Sequence, residues 1–221
     1  MSRPELRRCP EALRAGCAEV LAGLYDVPGL ELPHRPRIID VGANVGAFTV
    51  WALEERWPDA TVWAYEPAAE TFACLLENTK HLRTEGYAIL FRAAVSDREG
   101  EGHLFHGRSN AFEHSLVDVG SQRREGESVT VMAASSLRAC DLIKVDTEGS
   151  EVAILSSYRH LAGCACVLLE WHKQRDREEL ARILERAGFE RWAWTGTREE
   201  KWLRRDVAAA MRGRGLRGGG P

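Results

Sequence analysis

Apolar positions along the chain change their spacing several times, and each change marks an element. Between residues 11 and 24, Leu13, Cys17, Val20, Leu21 and Leu24 recur at helical spacing. Pro28, Pro33 and Pro36 then interrupt the pattern. The first ~35 residues therefore read as a helical extension packed on the domain that follows, expected as a structural cap, with cover over the substrate mouth as the alternative. From Arg37 short runs of β-branched and aromatic residues alternate with helical stripes. Strands are expected at Arg37–Val41, Thr61–Tyr65, Ala88–Val95, Leu142–Val145, Ala165–Leu169 and Phe189–Thr195. Helices are expected at Val45–Trp57, around Phe72, Leu75, Leu76 and Leu82, after Glu148-Gly149, and after Asp176, where Glu179 completes a capping-box pattern. Short strands at His103–His106 and Val129–Met132 flank a polar, glycine-rich insertion at 107–128. Lys201–Arg205 fits either a final edge strand or part of a helix running to Met211, and residues 212–221 read as a disordered tail. The strand and helix alternation predicts an α/β fold with a mostly parallel central sheet and helices on both faces, spanning residues 36–211.

Composition narrows the picture little. Of 221 residues 44% are hydrophobic and 29% charged, with a net charge of −3, which suits a globular domain and argues against broad attraction to nucleic acid or membranes. No apolar run reaches the ~20 residues of a membrane span, and Met-Ser-Arg-Pro-Glu-Leu-Arg-Arg has no apolar segment behind it to make a secretory signal. A cytoplasmic location is the expectation. Six cysteines without metal-type spacing are expected to be reduced and mostly packed.

The chemistry lies at the strand ends. Asp40-Val-Gly-Ala-Asn-Val-Gly46 is a strand, a tight glycine turn and a helix start. Glu66, 24 positions beyond Gly42, ends the next strand and can accept hydrogen bonds from ribose hydroxyls. A dinucleotide would need glycine where Asn44 stands, so that backbone could approach a pyrophosphate. Asp40 would repel that group but suits an ammonium and a sulfonium. The turn therefore favours S-adenosylmethionine over a nicotinamide cofactor. Ser96 and Asp97 follow strand three, where they can bond an adenine amino group. Asp146, with Glu148 beyond it, ends strand four; Glu170 and His172 end strand five.

Those motifs, with Tyr65-Glu66-Pro67, Ala93-Ala-Val-Ser-Asp97 and Asp141-Leu-Ile-Lys-Val-Asp-Thr-Glu-Gly-Ser-Glu151, resemble the FkbM family of S-adenosylmethionine-dependent methyltransferases over residues 37–172. The resemblance implies a Rossmann-like class I methyltransferase fold and methyl transfer to a hydroxyl of a sugar or secondary metabolite. It implies that Asp40, Gly42, Asn44 and Gly46 surround the methionine part, Glu66 the ribose, and Ser96 and Asp97 the adenine. His114 and Ser115 become candidates for lining the site. For the transfer itself, His172 or Asp146 is the expected base, Glu170 orients the base or acceptor, and Lys144 neutralises the acids or contacts the acceptor oxygen. Asp146, Glu170 and His172 could alternatively ligate a divalent ion such as Mg²⁺, though their spacing does not require one. N- or carboxyl-methylation and a non-catalytic binding module are the competing readings. The partner is a small-molecule acceptor, and the oligomeric state is left open, a dimer being one option.

Overall fold

The structure is a computed structural model describing residues 4–106, 114–115 and 126–220, with Phe105, His106, His114 and Ser115 described through their backbone alone. In chain order the elements are α1 (Arg14–Leu21), β1 (Arg37–Val41), α2 (Ala47–Trp51, continued by a π-helical turn at Ala52–Arg56), β2 (Thr61–Tyr65), α3 (Ala69–Asn78), α4 (Lys80–Thr84) and β3 (Ala88–Phe91). There follow β4 (Ala94–Ser96), β5 (Gly100–His106), β6 (His114–Ser115), β7 (Gly126–Ala133), β8 (Leu142–Val145), α5 (Glu151–Ser157), β9 (Cys166–Glu170), α6 (Gln174–Arg186), β10 (Phe189–Trp194), β11 (Glu199–Arg204) and α7 (Arg205–Gly213).

Seven strands form the main sheet in the order β10-β11-β9-β8-β1-β2-β3. The pairs from β9 to β3 are parallel, and β11 runs antiparallel to both its neighbours. Successive strand residues face opposite sides of the sheet. Ile38, Val62, Leu142 and Leu168 therefore pack with Phe48, Leu75 and Met211 on one face. Ile39, Val145, Val167 and Leu169 pack with Ile154, Leu155, Leu180 and Leu184 on the other. Both faces being covered explains why these strands read as continuous apolar runs.

Four of the sequence expectations need correction. Strand three is not continuous: it breaks at Arg92–Ala93, and β4 leaves the main sheet to pair in parallel with β7. β7 also pairs antiparallel with β5, giving a second sheet in the order β4-β7-β5-β6. The segment at Lys201–Arg205 is neither an edge strand nor wholly helical, because β11 lies inside the sheet and α7 begins after it. Alternation explains this position: Trp202 enters one core and Leu203 the other. The capping box at Asp176 does not form, since α6 starts two residues earlier with Lys173 as its N-cap. The tail expected to be disordered completes α7 and folds back. Leu216 packs on the core, and the Gly219 carbonyl accepts from Trp194 N–H at 3.0 Å.

The N-terminal extension is tied down at both ends. Asn78 bonds Arg8 N–H and carbonyl at 2.8 Å each. Arg56 pairs with Asp26 at 2.9 Å and donates to the Leu30 carbonyl at 2.7 Å. Between these anchors α1 buries none of its own residues, whereas Tyr25, Val27 and Leu30 enter the core. Among the described residues no helix is long and apolar enough to cross a membrane.

Candidate functional site

Strands β1, β2, β8 and β9 end on one edge of the sheet, where two cavities meet. One of about 640 Å³ is lined by Gly42, Asn44, Glu66, Pro67, Ala93–Val95, Leu104 and Asp146–Glu148. The other, of about 750 Å³, lies between α1 and the turn after β1, and reaches Tyr25, Lys144, Asp146 and Glu170. Gly42, Asn44 and Asp146 line both.

The turn after β1 depends on its glycines. Gly42 has φ +79, and a Cβ there would stand 1.7 Å from the Asp146 carbonyl oxygen. Asn44 also has positive φ, +52. Its N–H donates to Glu66 Oε2 at 2.9 Å, while its side-chain oxygen is buried without a hydrogen-bond partner. Gly46 has φ +92, but it touches neither cavity; its missing Cβ lets Leu75 of α3 approach. Gly46 thus shapes the turn instead of surrounding a ligand.

Glu66 is buried at the head of the first cavity. Its Oε1 accepts from Ala68 N–H at 2.9 Å and Thr71 Oγ1 at 2.8 Å, its Oε2 from Asn44. Burial pushes its carboxyl up, against those three donors and the charge of Lys144. Three of its roughly four acceptor positions are filled, so Oε2 alone keeps a free one. Ser96 and Asp97 do not line this cavity. With β4 drawn toward β7, Ser96 belongs to a neighbouring depression with Arg98 and Gly100, and Asp97 is exposed. The strand lines the cavity through Ala93, Ala94 and Val95 instead.

Asp40 also differs from expectation. It is fully buried, accepting from Thr49 Oγ1 at 2.7 Å and pairing with Lys144 Nζ at 3.3 Å, and it reaches neither cavity. Lys144 Nζ additionally meets the Gly42 carbonyl at 2.6 Å and Asp146 Oδ2 at 3.3 Å. Burial would discharge this ammonium, but Asp40, Asp146 and Glu170 hold its pKa above the ordinary lysine value. Lys144 is therefore a buried cation that fixes the turn, with its hydrogen bonds committed.

The three residues proposed for the transfer do converge. His172 is 6% exposed; its Nδ1 lies 2.9 Å from Glu151 Oε1, and its Nε2 lies 3.4 Å from Glu148, 3.4 Å from Glu170 and 3.6 Å from Asp146. Burial would lower its pKa, yet Glu148, Glu151, Glu170 and Asp146 push it up from 6.5 to about 12. Held among these acids, the imidazole favours its protonated form. Asp146 is pushed up to about 7 by burial, helped by Glu170 and Glu148 and opposed by Lys144 and His172. Glu170 stays below the ordinary range because His172, Lys144 and Tyr25 outweigh its burial.

Two participants went unrecognised in the sequence. Glu151 is fully buried and accepts from Gly149 N–H at 2.9 Å and Thr147 N–H at 3.2 Å as well as facing His172. It lies within the Asp141–Glu151 motif, and the signal for it was an acid opening an apolar helix. Tyr25 donates to Glu170 Oε2 at 3.4 Å from the N-terminal extension, and nothing local in the sequence marks it. His114 and Ser115 form the short strand β6, paired with β5, and their side chains lie outside the described residues.

At Gly42 the missing Cβ lets the Asp146 carbonyl close on the turn, and beside it Glu66 keeps one acceptor position. Comparison with known proteins identifies the family. The family model described as "Methyltransferase FkbM domain" matches residues 40–191. The 31-O-demethyl-FK506 methyltransferase FkbM of Streptomyces tacrolimicus is 42% identical over 162 residues, which cover 58% of this chain and 61% of that protein. Methyltransferase sdnD of Sordaria araneosa is 24% identical over 203 residues, 75% of this chain and 77% of that one. The match to the much longer AMB antimetabolite synthetase AmbE of Pseudomonas aeruginosa covers only 10% of that protein. Among solved structures, methyltransferase FkbM from Methylobacillus flagellatus shares the fold with a TM-score of 0.61 at 15% identity, covering 81% of this chain and 46% of that one. With its family model spanning most of its length, the chain belongs to the FkbM family of S-adenosylmethionine-dependent methyltransferases.

Proposed function

We propose that the protein methylates a hydroxyl of a small secondary metabolite or sugar. The observation that carries this reading is the placement of Asp146 and Glu170. Both line the second cavity, and Asp146 also lines the first, so acids stand where the two spaces join. S-adenosylmethionine, when bound, supplies an electrophilic methyl group on a sulfonium. Gly42, Asn44 and Glu66 would hold it in the first cavity.

The chain's own task is to align the acceptor and remove its proton, since an alcohol is a poor nucleophile until it loses one. The Asp146–Glu170 pair receives that proton. His172 positions both carboxylates through Nε2 while Glu151 fixes its ring through Nδ1. Lys144 holds the Gly42 carbonyl and Asp146 in one frame. Tyr25, whose phenol burial and nearby acids keep neutral, steadies Glu170. The 31-O-demethyl-FK506 named for the Streptomyces relative supports an oxygen acceptor.

The test is transfer of labelled methyl from S-adenosylmethionine to 31-O-demethyl-FK506 and to a panel of hydroxylated sugars. Asp146→Asn and Glu170→Gln should each lower turnover at least about a hundredfold while S-adenosylhomocysteine affinity changes less than about threefold. Product methylated on nitrogen or carboxylate, or full turnover in both variants, contradicts the assignment.

A further inference from the structure

We propose that Asp146, Glu148 and His172 form a binding site for a hard divalent cation, best filled by Mn²⁺, beside Asp146, the acid that both cavities share. The inference rests on the reading that the acceptor meets the methyl donor at Asp146. One ligand atom from each of the three residues can be chosen so that all lie within 4.8 Å of one another.

The imidazole is the telling group. It is more than nine-tenths buried and aimed into the acids, yet Nε2 has carboxylate oxygens at 3.4, 3.4 and 3.6 Å. These are ion-pair distances, longer than the ~2.7–3.2 Å of a well-formed N–H···O bond. One Nε2–H could serve only one of them, whereas three acids from two strand ends and a loop gather around it. Ligand atoms held ~2.1 Å from one ion stand about 3 Å apart at right angles and about 4 Å apart across it. The Nε2 separations of 3.4 Å from Glu148 and 3.6 Å from Asp146 fall between those limits, so an ion placed among the three ligand atoms would draw them in with modest side-chain movements.

The other ring nitrogen is arranged as a metal-ligating histidine requires. Nδ1 meets Glu151 Oε1 at 2.9 Å, and that oxygen is itself held by Gly149 and Thr147 N–H. A buried carboxylate on Nδ1 fixes the tautomer that leaves Nε2 to the ion. The neighbouring ammonium cannot do the ion's work, because Lys144 is spent on Asp40, Asp146 and the Gly42 carbonyl. Carboxylates favour Mg²⁺ and Mn²⁺, and the imidazole nitrogen favours Mn²⁺ between them.

The ion takes the place of the Nε2 proton and polarises an acceptor hydroxyl near Asp146. The O–CH₃ bond then forms as the S–CH₃ bond breaks, and the hydroxyl proton passes to Glu170, whose Oε2 Tyr25 holds. Glu170 remains the base while Asp146 becomes a ligand.

The experiment is titration of the full chain with Mn²⁺, read by loss of the free-ion electron paramagnetic resonance signal, beside calorimetry with S-adenosylhomocysteine. One Mn²⁺ per chain is expected. Glu148→Gln and His172→Asn should weaken it at least about tenfold, and Glu151→Gln by about 10- to 100-fold through the freed ring. S-adenosylhomocysteine affinity in His172→Asn should stay within about threefold, which shows that the variant is folded. A chain that binds S-adenosylhomocysteine but takes up no Mn²⁺ at millimolar concentration overturns the inference, as does uptake unchanged in both ligand variants. Mn²⁺ uptake with the expected variant losses but no S-adenosylhomocysteine binding would uphold the cation site and overturn the cofactor reading instead.

Discussion

At the scale of single residues, the turn after β1 is held by groups that leave no slack. A Cβ at Gly42 would collide with backbone, which cannot swing aside as a side chain can. Gly42→Ala should therefore weaken S-adenosylhomocysteine binding at least about tenfold by calorimetry. Lys144 compensates the fully buried Asp40. Lys144→Met should cost about 3–5 kcal/mol in urea unfolding, because it leaves a buried carboxylate alone. The double variant with Asp40→Asn should recover much of that loss, since it removes both charges. These positions show what the sequence could reveal. Spacing placed Gly42, Asn44, Glu66, Asp146, Glu170 and His172 at strand ends, and all six lie at the site. Spacing could not tell which way a side chain turns. Asp40 points into the interior toward Thr49 and Lys144, and Ser96 follows a strand that leaves the sheet. Glu151 was hidden because an acid in the first turn of a helix is ordinary; only the fold brings β9 and His172 against it.

At the scale of elements, alternation of short apolar runs with helical stripes was enough to read β1, β2, β8, β9 and their helices. Both sheet faces are covered there, and the pattern is strong. It failed where an element's partner lies far along the chain. The break between β3 and β4 has no local marker, since Arg92 and Ala93 are unremarkable in sequence. The inner position of β11 is set by Glu200, which is 2% exposed and meets Arg177 at 2.9 Å, Trp202 Nε1 at 3.0 Å and Arg191 at 3.2 Å. A strand carrying Glu199-Glu200-Lys201 looks like an edge until those partners are known. Glu200→Ala should lower stability by about 3 kcal/mol, measured by denaturant titration, by stranding Arg177 and the indole N–H. The extension before β1 packs on the domain, with α1 along the wall of the second cavity and Tyr25 against Glu170.

At the scale of the whole molecule, the sheet order explains why chemistry collects on one edge. The β1, β2, β8 and β9 tips converge there, and the insertion carrying β5 and β7 closes the first cavity through Leu104. The match to the FkbM relative from Streptomyces covers about three-fifths of that protein's length. The central claim is that the turn after β1 holds a sulfonium nucleoside and excludes a diphosphate. Parallel calorimetric titrations of the purified chain with S-adenosylhomocysteine and with NADH test it directly. Saturable binding of the first at one site per chain, with no heat from the second, is the predicted result. Saturable NADH binding without S-adenosylhomocysteine binding would contradict it.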